Sequence, residues 1–317
     1  MDADRDRLLA AAPLLAAALW GGMYVVSKWG FREIPPLTLV FLRVALGAGT
    51  LYAVVSVTTP DRSFSRRDWR RLAGLALWLT AALTTQFVGT DLTNASQGAL
   101  LTVLTPVFMI ALGVTALDER LSRRKLLGTA LALIGTLVVL VGRYDPTTVT
   151  GGGLAGVGLL LFSAFSFAGF SAFGKPLIRR YSALETVTYA TLLSVPLFGA
   201  LVPVEWYLDP GAFAAVTVTP TLVGAVLYLG VLSTAAAWYC WYKGMEYADA
   251  SSVAVFFFAQ PVVGVLLGAA ILGERVGGET LVGGALLLAG VYVVNRAGES
   301  VQEVETEAAR TRTTRSE

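Results

Sequence analysis

The sequence predicts an all-α integral membrane protein with ten transmembrane helices arranged in two inverted five-helix repeats. Three observations point to this fold class: an apolar composition, uncharged runs long enough to cross a bilayer, and an internal repeat. Hydrophobic residues make up 55% of the 317 residues, charged residues only 15%, and the mean hydropathy is +0.67. Soluble domains average roughly 25% charged residues, so this composition indicates a chain that lies in lipid.

Uncharged runs of about 20 residues, the length that crosses a hydrocarbon core, recur along almost the whole chain. Backbone groups in lipid must bond internally, and the runs are continuous rather than alternating, so helices are favoured over a barrel. The first run lacks a small-residue cleavage site and is expected to be retained. The predicted spans are 8–27, 37–57, 72–90, 96–116, 126–142, 153–174, 186–204, 221–242, 251–272 and 280–295.

The internal repeat relates residues 95–140 to residues 250–295. They align without a gap at an offset of 155 positions, with 18 identities among 46 pairs. Such symmetry is typical of transporters built from two repeats. Because each repeat holds five spans, an odd number, the second is expected to enter the membrane upside down. The predicted organisation is an N-terminal tail 1–7, a first repeat 8–142, an inverted second repeat 153–296, and a disordered C-terminal tail 297–317.

The charges between the spans predict orientation. With a cytoplasmic N-terminus, 19 of the lysines and arginines fall in inner segments, four in outer segments, and Arg43 lies within a span. By the positive-inside rule, both termini are therefore expected in the cytoplasm of a multi-pass plasma-membrane protein. The net charge of +2 is small and spread over loops, which argues against nucleic acid as a partner.

Several chemistries find no matching residues. The chain has one cysteine and no histidine, and no acidic cluster has metal-ligand spacing, so neither a metal nor another cofactor is expected. It has no phosphate-binding G-x-x-x-x-G-K-[ST] loop for ATP hydrolysis. Arg43 is the one ionisable residue within the span cores, so a carboxylate or histidine proton relay is absent and facilitated transport or exchange is predicted. Without paired carboxylates or an activated nucleophile, the protein is not expected to be an enzyme.

The polar candidates for a binding site lie beside two prolines. Thr105 and Gln260 occupy equivalent repeat positions and precede Pro106 and Pro261, which open the helix hydrogen bonding. We expect both to line a cavity, with interhelical hydrogen bonding as the alternative. Phe256 lies one turn before Gln260 on the same stripe. Gln86, in the third span, is a similar candidate.

Aromatic and basic residues supply the other candidates. Trp20 and Tyr24 share a helix face and either form an amphipathic wall for a ligand or pack against lipid or helices. Trp238 and Tyr242, also four apart, either belong to a headgroup belt or help to close an inner gate. Arg43 either orients the fold through backbone carbonyls or contacts an anionic substrate group such as a carboxylate.

Lysines and glutamates mark the span ends. Lys28 and Lys175 end the first and sixth spans at nearly symmetric places on opposite sides of the membrane. They either snorkel to the headgroups or attract anionic substrates at the rim of a gate. Glu119 and Glu274, which close the fourth and ninth spans, are interpreted as parts of structural turns.

Together these features resemble a known family. The residues concerned are Trp20-Gly21, Lys28, Phe41-Leu42-Arg43, Pro106 with Glu119, and Pro261 with Gly273-Glu274-Arg275. Residues 8–296 resemble the drug/metabolite transporter superfamily, in its ten-helix EamA branch. The resemblance implies a central pocket lined mainly by the first, third, fourth, sixth, eighth and ninth helices. It also implies alternating access by rocking of the two halves, and small organic solutes, often amino acids or other metabolites, that move outward.

The sequence therefore predicts a secondary transporter that exports small neutral or zwitterionic metabolites without ATP hydrolysis. Its partners would be the substrate and the lipid bilayer, and its small-residue faces allow a homodimer. One alternative is a membrane-embedded enzyme, which would need a catalytic group that the spans lack. Another is a receptor that binds a ligand without moving it.

Overall fold

The computed structural model describes residues 12–60, 63–93, 98, 101–119, 121–143, 154–214, 216–260, 262–263, 277–279 and 281–294. The predicted tails lie outside these ranges. So do parts of the fourth and ninth predicted spans. Within the described ranges the regular secondary structure is helical, with no strand, in agreement with the predicted all-α class.

Thirteen α-helices are assigned within the described ranges. They are accompanied by a π-helix, Tyr228–Ala236, and a short 3₁₀ helix, Ala254–Phe258. In chain order the α-helices are α1 (Ala12–Gly21), α2 (Met23–Gly30), α3 (Pro36–Thr58), α4 (Arg66–Leu92), α5 (Thr105–Ala116), α6 (Arg123–Arg143), α7 (Leu154–Arg180), α8 (Ala183–Leu208), α9 (Pro210–Ala214), α10 (Pro220–Leu227), α11 (Ala237–Tyr247), α12 (Ala250–Val253) and α13 (Leu281–Val294).

Five helical stretches are long and apolar enough to cross a membrane. They are α3, α4, α7, α8 and the continuous stretch Pro220–Tyr247, which comprises α10, the π-helix and α11. They coincide with the second, third, sixth, seventh and eighth predicted spans. The apolar helices α5 and α13 are shorter. Membrane-length helices are thus present, while the number ten stays a prediction.

Helices from the two halves of the sequence pack into one core. Helix α4 lies against α7, and α8 packs against both α3 and α4. Helix α1 packs against α11, and α3 packs against the π-helix. Because each of these contacts joins the first half of the chain to the second, neither half buries its apolar faces alone.

Helices α6 and α13 cross in close contact, and glycines lie at the crossing. A Cβ atom on Gly128 would lie 2.8 Å from the carbonyl oxygen of Gly290, and one on Gly135 would lie 2.5 Å from that of Gly283. Only glycine allows this approach. The two contacts pair an earlier residue of one helix with a later residue of the other, so the helices run antiparallel at the crossing. Gly128 and Gly135 are also equivalent to Gly283 and Gly290 at the 155-residue offset, so exchanging the repeats leaves the contacts unchanged.

The π-helix interrupts what the sequence predicts as one regular span, 221–242. The Thr234 hydroxyl donates to the carbonyl oxygen of Leu229, five residues earlier, at 2.7 Å. The Ser233 carbonyl accepts from outside its own helix, from the indole nitrogen of Trp20 at 2.8 Å and from Arg43 at 3.2 Å. The π-helix therefore anchors both the first helix and α3. Such segments occur frequently at functional sites.

Candidate functional site

A narrow cavity lies between the two halves of the chain. It encloses about 340 Å³ of space not filled by atoms, its mouth included. Aromatic, amide and hydroxyl side chains dominate its wall. The lining residues are Trp20, Met23, Tyr24, Arg43, Leu83, Gln86, Thr102, Thr105, Ser163, Ala164, Phe167, Trp238, Phe257 and Gln260.

Equivalent positions of the two repeats meet around this cavity. Three pairs of lining residues stand 155 positions apart: Leu83 and Trp238, Thr102 and Phe257, Thr105 and Gln260. The wall is symmetric in position but not in chemistry. The first repeat places smaller side chains there, whereas the second places two aromatic rings and an amide.

The structure brings seven of the nine predicted binding residues to this cavity: Trp20, Tyr24, Arg43, Gln86, Thr105, Trp238 and Gln260. The other two lie outside the lining. Phe256 is buried beside the lining residue Phe257. Tyr242 packs on Phe170, with ring centroids 5.1 Å apart, and donates to the Phe170 carbonyl at 2.8 Å. Contact of any of these residues with a substrate stays a prediction.

A hydrogen-bonded chain ties three segments on one side of the cavity. The amide nitrogen of Gln86 donates to the Tyr24 hydroxyl at 2.9 Å, and that hydroxyl lies 2.7 Å from the hydroxyl of Thr102. Thr102 in turn donates to the carbonyl oxygen of Gly98 at 2.8 Å. The chain fixes α2, α4 and the segment before α5 relative to one another, so these polar side chains are held in place before a ligand binds.

Arg43 is buried, and each of its three side-chain nitrogens donates a hydrogen bond within the protein. Its Nε donates to the Thr234 hydroxyl at 2.7 Å, Nη2 to the Ser233 carbonyl at 3.2 Å, and Nη1 to the sulfur of Met23 at 3.0 Å. The guanidinium also lies 5.6 Å from the ring centroid of Phe87, a cation–π contact. One of the three acceptors is a backbone carbonyl, the kind of contact that the fold-orienting role involves, and contact with an anionic substrate group stays a prediction. Among the described residues no acidic side chain pairs with Arg43 or lines the cavity, so its positive charge is left uncompensated there.

Trp20 belongs to a rigid aromatic wall. Its ring centroid lies 5.5 Å from Phe167, 5.4 Å from Trp241 and 5.7 Å from Phe257. The ring cannot rotate freely, because its indole nitrogen donates to the Ser233 carbonyl. Phe167 is a lining residue that the sequence analysis missed. The available signal was its position, since Phe167 follows Trp20 by the same 147 residues that separate Lys28 from Lys175.

The ends of the molecule are closed by different contacts. At one end four side chains, Glu119, Lys125, Lys175 and Asp249, form a charged group that we call the Lys175 cluster. Lys175 Nζ lies 3.3 Å from Glu119 Oε1 and 3.1 Å from Asp249 Oδ1, and Lys125 Nζ lies 3.1 Å from Asp249 Oδ2. Since residues 119 and 125 belong to the first repeat and residues 175 and 249 to the second, the cluster joins the repeats.

Glu119, interpreted from the sequence as part of a structural turn, also bonds to the backbone of a helix in the second repeat. Its carboxylate accepts from the backbone nitrogens of Ala250 and Ser251, at 3.0 and 3.1 Å, and so caps the start of α12. Burial acts to raise the pKa of Asp249, but the charges of Lys175 and Lys125 outweigh it and hold that pKa below its usual value. Asp249 therefore stays ionised at neutral pH. The equivalent Glu274 lies outside the described residues.

Lys28 makes contacts similar to those of Lys175, but its side chain is more exposed. Its Nζ donates to the carbonyl oxygens of Thr90, Asp91 and Thr93, and it lies 3.6 Å from the Asp91 carboxylate. Thr93 is equivalent to Ala248, whose carbonyl accepts from Lys175 at 3.0 Å. Each lysine thus bonds to the equivalent carbonyl of its own repeat. Attraction of substrates at a gate rim stays a prediction for both.

Comparison with known proteins explains the duplicated architecture. The sequence model of the EamA-like transporter family matches the chain twice, over residues 8–141 and 154–296. The chain belongs to the EamA-like transporter family. The resemblance to the drug/metabolite transporter superfamily is thereby confirmed, and the protein is a multi-pass membrane transporter.

Relatives of this EamA-like transporter include exporters. It is 29% identical over 297 residues to a "Probable amino-acid metabolite efflux pump" of Salmonella typhimurium, a match covering 88% of this chain and 92% of the relative. It is 31% identical over 207 residues to a "Probable terminal-alkyne amino-acid exporter" of Streptantibioticus cattleyicolor, 64% of each chain. A solved crystal structure with 21% identity superposes with a TM-score of 0.73, covering 93% of this chain and 98% of the other, and so shows the same fold.

Proposed function

We propose that this EamA-like transporter exports small neutral or zwitterionic organic metabolites, amino acids among them, across the plasma membrane. It does so by alternating access of two inverted repeats and without hydrolysing ATP. The observation that carries the proposal is the cavity itself, which is lined at equivalent positions of both repeats. A site placed between two repeats can be exposed to either side by their relative movement.

The chemistry of the wall supports the substrate class. Amide, hydroxyl and indole groups offer hydrogen bonds, and the aromatic rings offer apolar contact area. Arg43 is the one charged side chain among the described lining residues. Such a wall suits a solute with few charges better than a sugar phosphate, which would need a cluster of basic residues. The names of the Salmonella and Streptantibioticus relatives agree with amino acids as substrates.

Two features support alternating access by inverted repeats. The antiparallel crossing of α6 and α13 is the arrangement expected where a helix meets its equivalent in an inverted copy. The Lys175 cluster and the Lys28 contacts hold different ends of the molecule. If both termini are cytoplasmic, as the distribution of lysine and arginine favours, the Lys175 cluster lies at the cytoplasmic end.

Counterflow in liposomes tests the proposal. Vesicles loaded with a mixed pool of unlabelled amino acids should take up labelled amino acids from outside, at a rate that does not depend on an imposed pH gradient. Thr105→Ala and Gln260→Ala should each reduce that rate by about 10-fold, because each removes a polar group from the cavity wall. Thr115→Ala is the matched control, since Thr115 lies exposed on the same helix as Thr105.

Other outcomes would count against particular parts of the proposal. Folded protein that moves none of the pooled amino acids would exclude the substrate class. Counterflow that follows the pH gradient would exclude transport without proton coupling. Product formation from a solute in detergent, where no flux exists, would instead support a membrane-embedded enzyme.

A further inference from the structure

We propose that the cavity binds the carboxylate of its substrate through three neutral donors, Thr105, Trp238 and Gln260, and holds an apolar body against the aromatic wall. This inference rests on the proposed function and names the substrate group that the site selects. Arg43 contributes a positive field rather than a salt bridge, because each of its three nitrogens already donates within the protein.

The first argument concerns buried atoms without partners. The hydroxyl of Thr105, the indole nitrogen of Trp238 and the amide nitrogen of Gln260 have no hydrogen-bond partner among the described residues. All three side chains line the cavity and are at most 5% exposed. Buried polar groups are nearly always hydrogen-bonded, and unpaired ones are costly. Three such groups on one cavity therefore point to a ligand that pairs with them.

The second argument concerns what kind of group can pair with them. Indole and amide N–H groups only donate, and a hydroxyl can donate as well. The matching ligand group must therefore accept several hydrogen bonds at once. A carboxylate has two oxygens with about four acceptor sites, more than a single carbonyl or hydroxyl offers. Hydrogen bonds to a charged acceptor are also the stronger kind.

The third argument concerns charge. No acidic side chain among the described lining residues balances Arg43, so the cavity carries a net positive potential. This potential favours an anionic acceptor over a neutral one. Because all three guanidinium nitrogens already donate, to Thr234, Ser233 and Met23, the contribution that we assign to Arg43 is its field.

A fourth observation fits the opposite charge of a zwitterion. The oxygen of the Gln86 side chain is unpaired among the described residues, while its nitrogen donates to Tyr24. Gln86 thus presents an acceptor to the same cavity, which suits a substrate ammonium group. The resulting substrate is an α-amino acid with an apolar side chain, for which the carboxylate is the group required for binding.

Competition measurements test this inference. Counterflow of labelled L-phenylalanine, and separately of L-leucine, is measured in liposomes against equal concentrations of two competitors. One is the decarboxylated amine of the same amino acid and the other is its deaminated acid. We expect the acid to compete at least about 10-fold better than the amine, because only the acid engages the three donors.

Two variants assign the donors. Trp238→Phe removes the indole N–H but keeps an aromatic ring, and should weaken binding of the acid by about 10-fold. Gln260→Glu places a second carboxylate against that of the substrate and should weaken it by about 100-fold. The matched control is Trp206→Phe, the same change at an exposed position outside the cavity. Melting temperatures in detergent confirm folding, and Trp238→Phe remains a test if Gln260→Glu does not fold.

The outcomes separate the inference from the proposed function. An amine that competes as well as the acid overturns the inference, as does an unchanged affinity for the acid in folded Trp238→Phe and Gln260→Glu. Counterflow of other pooled amino acids but of neither phenylalanine nor leucine also overturns it, and leaves the proposed function standing. Folded protein that moves no pooled amino acid at all would contradict both the inference and the proposed function.

Discussion

The two equivalent lysines hold the two ends of the molecule with unequal strength. The Lys175 side chain is 5% exposed and bonds to carboxylates from both repeats, whereas the Lys28 side chain is 32% exposed and bonds within the first repeat. Breaking a buried ion pair between repeats costs more than breaking exposed contacts within one. Equivalent lysines thus have different roles: Lys175 joins the two repeats at its end, whereas Lys28 joins two helices of the first repeat.

The side chains that line the cavity also differ between the two repeats. Leu83 and Thr102 line the cavity from the first repeat, whereas Trp238 and Phe257 line it at the equivalent positions of the second. The glycines at the crossing of α6 and α13, by contrast, are the same in both repeats. The helix crossing is therefore symmetric between the repeats, while the cavity lining differs between them.

The largest expected effect comes from removing the difference between the walls. Leu83→Trp places the larger side chain of position 238 in the first repeat as well and should fill a cavity that is already narrow. We expect transport to fall by about 100-fold or more, because no space remains for a ligand. Initial rates of counterflow measure this.

The reverse change sharpens the same comparison. Trp238→Leu gives both repeats the smaller side chain, removes an aromatic surface and an N–H donor, and should weaken substrate affinity by about 10-fold without abolishing transport. Equal losses in Leu83→Trp and Trp238→Leu would contradict the difference between the two walls.

The next effect concerns the lysines. Lys175→Met leaves the buried Glu119 without its lysine and Asp249 with Lys125 alone, and should lower the free energy of unfolding by about 3 kcal/mol. Lys28→Met is the matched control and should cost less than about 1 kcal/mol, because Lys28 is more exposed. Denaturant unfolding of both variants in detergent measures the difference. A larger loss for Lys28→Met would reverse the comparison of the two ends.

A smaller effect tests the symmetric frame. Gly135→Ala brings a methyl group against the carbonyl of Gly283 and should cost about 1–3 kcal/mol. The control is Gly49→Ala on α3, where a Cβ would meet nothing within 4 Å and the higher helix propensity of alanine should be neutral or slightly stabilising. Thermal unfolding in detergent compares the two. If neither substitution changes the thermal stability, the glycine crossing does not hold the repeats together.

The smallest effect is the pH dependence of the Lys175 cluster. Because the pKa of Asp249 is held below its usual value, its contribution to stability is fully present above the unfolded pKa of about 3.9 and is lost as pH falls through the lower folded value. We expect the stability difference between wild type and Asp249→Asn to be constant from pH 8 to 6 and to shrink only below about pH 4. Since Asp249 is partly exposed, that difference should be under about 1 kcal/mol. A difference that changes between pH 8 and 6 would contradict the assigned pKa direction.

Much of the site could be predicted because the sequence repeats itself. The offset that relates Thr105 to Gln260 indicated that two distant prolines mark one place, and the structure brings both residues to one cavity. Trp20 and Tyr24 were predictable from their spacing on one helix face. Composition and the length of the apolar runs were sufficient for the all-helical class and for the five clearest spans.

Other features depend on tertiary contacts that no local pattern records. The π-helix lies in a run whose hydropathy resembles that of any regular span, and it is recognised only from the backbone of the folded chain. Glu119 was interpreted as part of a turn, because its cap on α12 joins residues 131 positions apart. Tyr242 is predicted either in a headgroup belt or at an inner gate, and its packing on Phe170, where the two helices approach closely, follows from neither pattern.

The most direct test of alternating opening is a pair of distance measurements by spin labelling in liposomes, in a Cys240→Ser background. One pair of labels, on Leu121→Cys and Arg179→Cys, spans the Lys175 end, and another, on Arg32→Cys and Tyr207→Cys, spans the Lys28 end. All four positions are exposed, and each pair joins the two repeats. On addition of a transported amino acid, the account predicts that the populations at the two ends shift in opposite directions, with one distance lengthening as the other shortens. Distances that lengthen together, or that do not respond in protein shown to transport, would contradict it.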